Sequence, residues 1–206
     1  MSLEDRNKWE ARYRCGAYRD RRNPSQLVTE HAPDVLATQR ATSGDREFEA
    51  LDIACGAGRN ALYLASLGYR VDAVDISAEA LERGARAARE AGYRISWIQR
   101  DLDQGLPRGL GDYDLILIMR YLDLSLVAAA AERLRPGGYL ICEAHLTSDR
   151  PVIGPRDRNF RVAPGELRAA AVGLQVVEYW EGHTHDPDGR AVALARLVAW
   201  RPYPAP

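Results

Sequence analysis

The stretch Asp52 to Asn60, DIACGAGRN, sets two glycines around a single residue, directly after an apolar run and directly before a helical one. Glycine lets a ligand approach the main chain with no Cβ in the way. With Ala61 the spacing is G-x-G-x-x-A, and Asp75 ends the next apolar run, where a dinucleotide site would carry its ribose-binding acid. Asp52 opposes that reading. It stands four residues before Gly56, where a carboxylate repels a pyrophosphate and attracts an amino group. Downstream, Gln99-Arg100-Asp101-Leu102 offers an acid and a following N–H to the edge of an adenine. The chain also leaves no length for the separate substrate domain that most nicotinamide dehydrogenases need.

The elements that must position this loop alternate strand and helix. FEALDI reads as a strand, NALYLASLG as a helix ending at Gly68, and YRVDAVDI as a second strand. SAEALERGARAAREAG is a helix begun by Ser77 and stopped at Gly92. YRISWIQ and YDLILIM are further strands, SLVAAAAERLR a helix, and a PGG turn at 136–138 leads into YLICEAH. After an Arg- and Pro-rich connector and a short helix at GELRAAAV come LQVVEYWEGHT and RAVALARLVAW, joined through DPDG, a hairpin signal. The pattern predicts an α/β fold, a doubly wound, seven-stranded, mostly parallel sheet ending in an antiparallel hairpin. Ahead of it, NKWEARYR and PSQLVTEHAPDVLATQRA read as helices, the second broken near Pro33. A single domain is expected, with a helical segment at 1–47, a binding core at 48–146 and the connector, helix and hairpin at 147–206.

Composition narrows the partners. With 28 Lys and Arg against 29 Asp and Glu the net charge is −1, so no global field draws the chain to nucleic acid or membrane. Lys8 is the only lysine. Cys15, Cys55 and Cys142 lie far apart without metal-ligand spacing, which argues against a zinc site or a disulfide framework and suits a reducing cytoplasm. No apolar leader or membrane-length segment is present. A cytoplasmic monomer or homodimer acting on a small molecule is the expectation.

DIACGAGRNALYLASLGYRVDAVDIS, together with LRPGGYLICEA and the closing hairpin, resembles class I S-adenosylmethionine-dependent methyltransferases over about residues 48–146. The resemblance implies S-adenosylmethionine as cofactor and S-adenosylhomocysteine as product. It implies that Asp52 and the backbone of Ala54 hold the ammonium of the methionine moiety, and that Gly56 and Gly58 admit the cofactor to the main chain. Asp75 would take the ribose hydroxyls, Ile76 the adenine face, and Asp101 with the Leu102 N–H the adenine edge. Arg59 or Asn60 would reach the methionine carboxylate, and Met119 would join the cofactor wall. Cys55 reads as small packing, since cysteine is common there in this family. Ala54 stands where the family more often has glycine.

A narrower resemblance, through GRNALYLASLGY, GELRAAA, KWEARY and the hairpin with His183, DPDG and Arg190, is to the tellurite-resistance (TehB-like) methyltransferases. It implies a small, soft nucleophile as acceptor, a chalcogen oxyanion or a thiol. That family's hairpin tends to carry His-Arg where this chain has His183-Thr184. Methyl transfer from a sulfonium needs mainly positioning, and a base only if the nucleophile arrives protonated. The candidates at strand ends are His145 as base, Arg120 and Arg190 as anion clamps, and Tyr121 and His183 beside them. Trp9, Tyr13 and Tyr18 can close over the sulfonium as a lid, and Arg150, Arg156, Arg158, Arg161, Asn159 and Phe160 can form the facing wall. IMRYLD lacks the Asn/Asp-Pro-Pro-aromatic motif that resembles amino-group methylation. A nicotinamide oxidoreductase and a non-catalytic cofactor-binding protein stay open as alternatives.

Overall fold

The computed structural model describes residues 3–16, 18–19, 21–44 and 46–204. Seven strands form one sheet in the order β3-β2-β1-β4-β5-β7-β6. They are β1 (Glu49–Ile53), β2 (Arg70–Asp75), β3 (Ile95–Gln99), β4 (Tyr113–Met119), β5 (Leu134–His145), β6 (Gln175–His185) and β7 (Ala191–Trp200). The pairs among β1 to β5 are parallel, whereas β7 runs antiparallel to both β5 and β6. The expected doubly wound sheet with a closing hairpin is thus the observed one.

Period-two alternation sends neighbouring side chains to opposite faces. Leu51, Ile116, Ile118, Leu140 and Cys142 pack on one face with Leu126, Val127 and Leu167 from α5 (Leu124–Glu132) and α6 (Glu166–Ala170). Ala50, Leu115, Leu117 and Ile141 pack on the other with Leu27, Leu36, Leu64 and Leu81 from α2 (Gln26–Ser43), α3 (Arg59–Leu67) and α4 (Ala78–Ala91). Every residue of β4 is buried, as a central strand covered on both faces requires. Each fully buried Leu or Ile contributes about 1.5–3 kcal/mol, which fixes the register of this strand.

The helix ends follow their capping residues. Ser77 accepts from the Ala80 N–H, while Gly68 and Gly92 end α3 and α4 in the left-handed region. Two boundaries differ from expectation. Helix α2 runs unbroken through Pro33, because Pro33 is exposed and the buried stripe Leu27, Val28, Ala32, Val35, Leu36 and Gln39 holds both halves to one face. Helix α5 stops at Glu132, and β5 begins at Leu134, so the PGG turn lies within the strand instead of before it. A shift of register between Tyr113 and Leu115 absorbs it. The N-terminal α1 (Leu3–Arg14) packs against α4.

Candidate functional site

Beyond β1 the chain crosses toward β2, and beyond β4 it crosses toward β5. Strand order reverses between them, and ligands of open parallel sheets sit in the crevice that opens there. A cavity of about 2130 Å³ fills it, lined by the glycine loop, by Trp9 and Tyr13 of α1, and by residues 119–125 and 153–161. Pockets for a single small ligand run to about 300–1,000 Å³, so this cavity is large enough for a cofactor and an acceptor together.

The loop after β1 is wound tightly. Ala54 (φ 56°), Gly56 (φ 58°) and Gly58 (φ 75°) are all left-handed. Only Ala54 carries a Cβ there, at a cost of about 1–2 kcal/mol. Asp75 holds the loop from β2: its Oδ2 accepts the Gly56 N–H at 2.8 Å and its Oδ1 the Ser77 N–H at 2.9 Å. Asp52, 1% exposed, accepts the Ala61 N–H on Oδ2 at 3.1 Å, whereas Oδ1 is buried without a partner. Burial pushes the Asp52 carboxyl up to about 7, against the lowering effects of Ala61 and Arg59. Burial raises Asp75 as well, against its backbone hydrogen bonds. An orphaned carboxylate oxygen behind a glycine turn is a seat for a cation, and these residues fit the amino end of a methionine moiety. When bound, S-adenosylmethionine would supply an electrophilic methyl group on a sulfonium.

Other loop residues are placed differently from expectation. A Cβ on Gly56 would strike the Tyr13 hydroxyl, so this glycine admits the N-terminal helix. A Cβ on Gly58 would strike the ring of Trp97, which also fills the space over Gly84. Gly58 is absent from the cavity wall, and its lack of a side chain serves packing. Arg59 and Asn60 hold the chain entering α2: Arg59 donates to the Asn23 carbonyl at 3.1 Å and to Ser25 Oγ at 2.9 Å, and Asn60 Oδ1 accepts the Ser25 N–H at 2.8 Å. Both still line the cavity. Cys55 is buried, its thiol pushed well up by burial, and its Sγ lies against the Gly56 carbonyl.

Around the expected adenine position, Ile76, Leu102 and Met119 form an apolar wall. Asp101 turns its carboxylate onto the Asp103 N–H at 3.1 Å and caps the turn at Leu102–Gln104, so the acid on the cavity wall is Asp103. The N-terminal helix lies over this end. Trp9, Tyr13 and Tyr18 make an aromatic cluster with centroids 5.7–6.4 Å apart. Glu10 accepts the Ala78 N–H at 2.7 Å, and Arg83 donates to the Tyr13 carbonyl at 2.5 Å.

At the far end of the cavity the expected clamps are already engaged. Arg120 (φ 59°) donates to Glu143 at 2.7 Å and grips Asp186 with both terminal nitrogens at 3.0 and 2.5 Å. Arg196 takes the other Glu143 oxygen at 2.9 Å, and Arg21 lies 3.6 Å from Asp186. Sequence reasoning missed both buried acids: Glu143 lies inside LICEA and Asp186 opens DPDG, and those stretches read only as a strand and a hairpin turn. Arg190 is forked onto Asp188 at the cavity mouth. His183 is exposed, pairs with Ser148 at 2.9 Å and lies outside the cavity wall. Neither Arg120 nor Arg190 is therefore a free anion clamp. His145 and Tyr121 do line the cavity. His145 is 9% exposed, and its Nδ1 is buried without a partner beneath Gly154. Burial, then Arg120 and Arg161, push this imidazole down to about 4, so it is neutral at physiological pH. Among the described residues no group of His, Cys, Asp and Glu converges to hold a metal, and no helix is long and apolar enough to cross a membrane.

Residues 50–138 match a protein family described as Methyltransferase domain. The chain is similar to the Ubiquinone biosynthesis O-methyltransferase of Caulobacter sp. (strain K31), 31% identical over 127 residues that cover 58% of this chain and 50% of that protein. It is 28% identical to the protein of the same name from Burkholderia orbicola (strain MC0-3) over 168 residues, 71% of this chain and 72% of that one. The chain thus spans half the length of the Caulobacter relative. Among solved structures it resembles TehB from Haemophilus influenzae, with a TM-score of 0.66, 25% identity and coverage of 82% of this chain and 61% of that one.

Proposed function

Because residues 50–138 match a methyltransferase-domain family and the fold resembles that of TehB, we propose that the chain is a class I S-adenosylmethionine-dependent methyltransferase that moves the sulfonium methyl group to a small acceptor carrying a soft nucleophile, such as a thiol or a chalcogen oxyanion. The observation that carries this reading is the pairing of Asp52 with the Ala61 N–H. It fills the N-terminus of α3, where a pyrophosphate would bind, with the chain's own acid and leaves the other carboxylate oxygen for a cation. A nicotinamide dinucleotide would meet that acid with a phosphate. A methionine ammonium meets it with a positive charge.

In this reading Asp52 holds the amino end, Arg59 and Asn60 flank the carboxylate, Asp75 and Ile76 take the ribose and adenine, and Trp9 and Tyr13 exclude water from above. His145 lines the acceptor's part of the cavity as a neutral imidazole, and the geometry of the wall supplies in-line approach. Holding two reactants in line is worth about 7–11 kcal/mol, more than any single base contributes. Titration calorimetry with S-adenosylhomocysteine and with NADH tests it. Binding of the first alone supports the reading, and binding of NADH alone refutes it. A screen for released S-adenosylhomocysteine across thiols, selenite, tellurite and phenols then names the acceptor, and cofactor binding without turnover on any of them would favour a non-catalytic protein. Phenols enter the screen because the relatives named above are O-methyltransferases.

A further inference from the structure

Arg21, Arg59, Arg120, Arg161 and Arg190 are among the basic residues that line the cavity. Arg120 and Arg190 are forked onto carboxylates, and Arg21 lies against Asp186. The hydrogen bonds of Arg59 and Arg161 go only to uncharged oxygens. Arg59 sits at the glycine loop, beside the expected cofactor. Arg161 sits at the opposite end, where its three nitrogens donate to the carbonyls of Pro155 at 2.8 Å, Leu146 at 2.9 Å and Ile153 at 3.1 Å. A guanidinium has five N–H groups, so two stay available. No acid neutralises Arg161 among the described residues, and its pKa is lowered by burial.

His145 stands beside it. A Cβ on Gly154 would lie 2.6 Å from His145 Nδ1 and 3.1 Å from an Arg161 terminal nitrogen, so one glycine separates the two side chains. Sealing Nδ1 beneath Gly154 leaves Nε2 as the ring's route to a ligand. Apolar groups line the same cavity: Tyr121, Leu122, Ile153, Pro155 and Phe160, the last 46% exposed. A bare inorganic anion would leave these groups and most of the second ligand's space unused.

We infer that the acceptor is an organic acid, with an aromatic or aliphatic body seated against Tyr121, Ile153 and Phe160 and a carboxylate received by Arg161 beside His145. The inference rests on the methyltransferase reading. The acceptor's nucleophile lies at the other end of the body, toward the glycine loop. With a thiol acceptor, a sulfur lone pair forms the new S–CH3 bond as the methyl–sulfonium bond breaks. The electron pair of the broken bond returns to the cofactor sulfur, and the thiol proton passes to solvent.

A matched pair of probes tests this: 4-mercaptobenzoate and 4-mercaptobenzamide, titrated by calorimetry into protein saturated with S-adenosylhomocysteine. The expected result is that the acid binds at least about tenfold more tightly than the amide, as a charge-assisted pair predicts, and that the preference shrinks with salt. Arg161→Gln is expected to remove the preference by weakening the acid alone, and Arg161→Lys to restore part of it. Equal binding of acid and amide, or binding of neither, overturns the proposal, as does an equal loss for both probes in a folded Arg161→Gln. Should that variant fail to fold, the wild-type comparison still decides. Failure of S-adenosylhomocysteine itself to bind refutes the underlying methyltransferase reading, and the two outcomes are read in separate titrations.

Discussion

Asp52 and Ala61 meet at 3.1 Å, carboxylate to backbone N–H, at the first turn of α3. A helix N-terminus carries unsatisfied N–H groups and favours anions. Here an acid from the end of β1 takes one of them and is then buried so fully that it is 1% exposed. One carboxylate oxygen is thus a structural cap, and the other is the one the proposed ammonium would meet.

Its titration follows from that burial. Asp52 is pushed up to about 7, against about 3.9 for a free aspartate. Between those values the folded state keeps a proton that the unfolded state releases, so this group's contribution falls as pH rises from about 4 to about 7. The full shift is on the order of 4 kcal/mol. Binding of an ammonium requires the ionised form. S-adenosylhomocysteine should therefore bind with proton release below pH 7, and its affinity should weaken by up to about tenfold per pH unit as pH falls from about 7 to about 5. Calorimetry in two buffers of different ionisation enthalpy reads the proton directly. Asp52→Asn should weaken binding and flatten the pH dependence. An affinity of the wild type that stays constant from about pH 5.5 to 8 would contradict the assignment.

Gly58 and Gly84 share one neighbour, the Trp97 ring, which would collide with a Cβ on either. Overpacking of this kind costs about 1–3 kcal/mol. Gly58→Ala should cost more than Gly84→Ala, because φ at Gly58 is 75° and an alanine there is strained as well. Replacing the ring should relieve the collision. Gly84→Ala combined with Trp97→Leu should lose about 1 kcal/mol less than the sum of the single variants. Additive losses in urea denaturation would mean that Trp97 is not the obstacle.

Much of this arrangement is written locally. The capping residues Ser77, Gly68 and Gly92 fix helix ends whatever packs around them, and period two in YDLILIM and its neighbours fixes a sheet buried on both faces. The glycine loop is legible for the same reason, since its conformation depends on its own residues. What escaped is decided between distant segments. Arg120 reads as a free cation until the hairpin brings Asp186 to it across 66 positions. Pro33 reads as a break until the buried stripe of α2, on both sides of it, is seen to hold the helix to one face of the sheet. Gly58 reads as a ligand contact until β3 delivers Trp97.

The ion network around Arg120 should behave as a unit. Burial alone would raise Asp186, but the Arg120 fork and Arg21 hold it below the usual carboxylate range. Its contribution to stability is therefore full above the unfolded value of about 3.9 and is lost as pH falls through the lower folded value. Asp186→Asn would leave Arg120 paired with Glu143 alone, in a left-handed conformation that itself costs about 1–2 kcal/mol. Breaking one partner of a buried pair costs about 3–5 kcal/mol. Urea denaturation at pH 7 should show a loss of that order, beginning to shrink only as pH falls below the unfolded value of about 3.9. A loss under about 1 kcal/mol would mean that the network is solvated in solution.

His145 gives the sharpest spectroscopic test. Burial, Arg120 and Arg161 push its imidazole down to about 4, below the ordinary value of about 6.5. Between those values the folded state binds fewer protons than the unfolded one, so the group's contribution to stability is lost as pH falls from about 6.5 to about 4. The ring's C–H resonances in a proton–carbon spectrum should therefore show no titration above about pH 5. Arg161→Gln takes away one of the three cations, Arg120, Arg161 and Arg21, that act on the ring and should move the midpoint upward. A wild-type midpoint at about 6.5 would show that the ring is open to water and that Gly154 does not seal it.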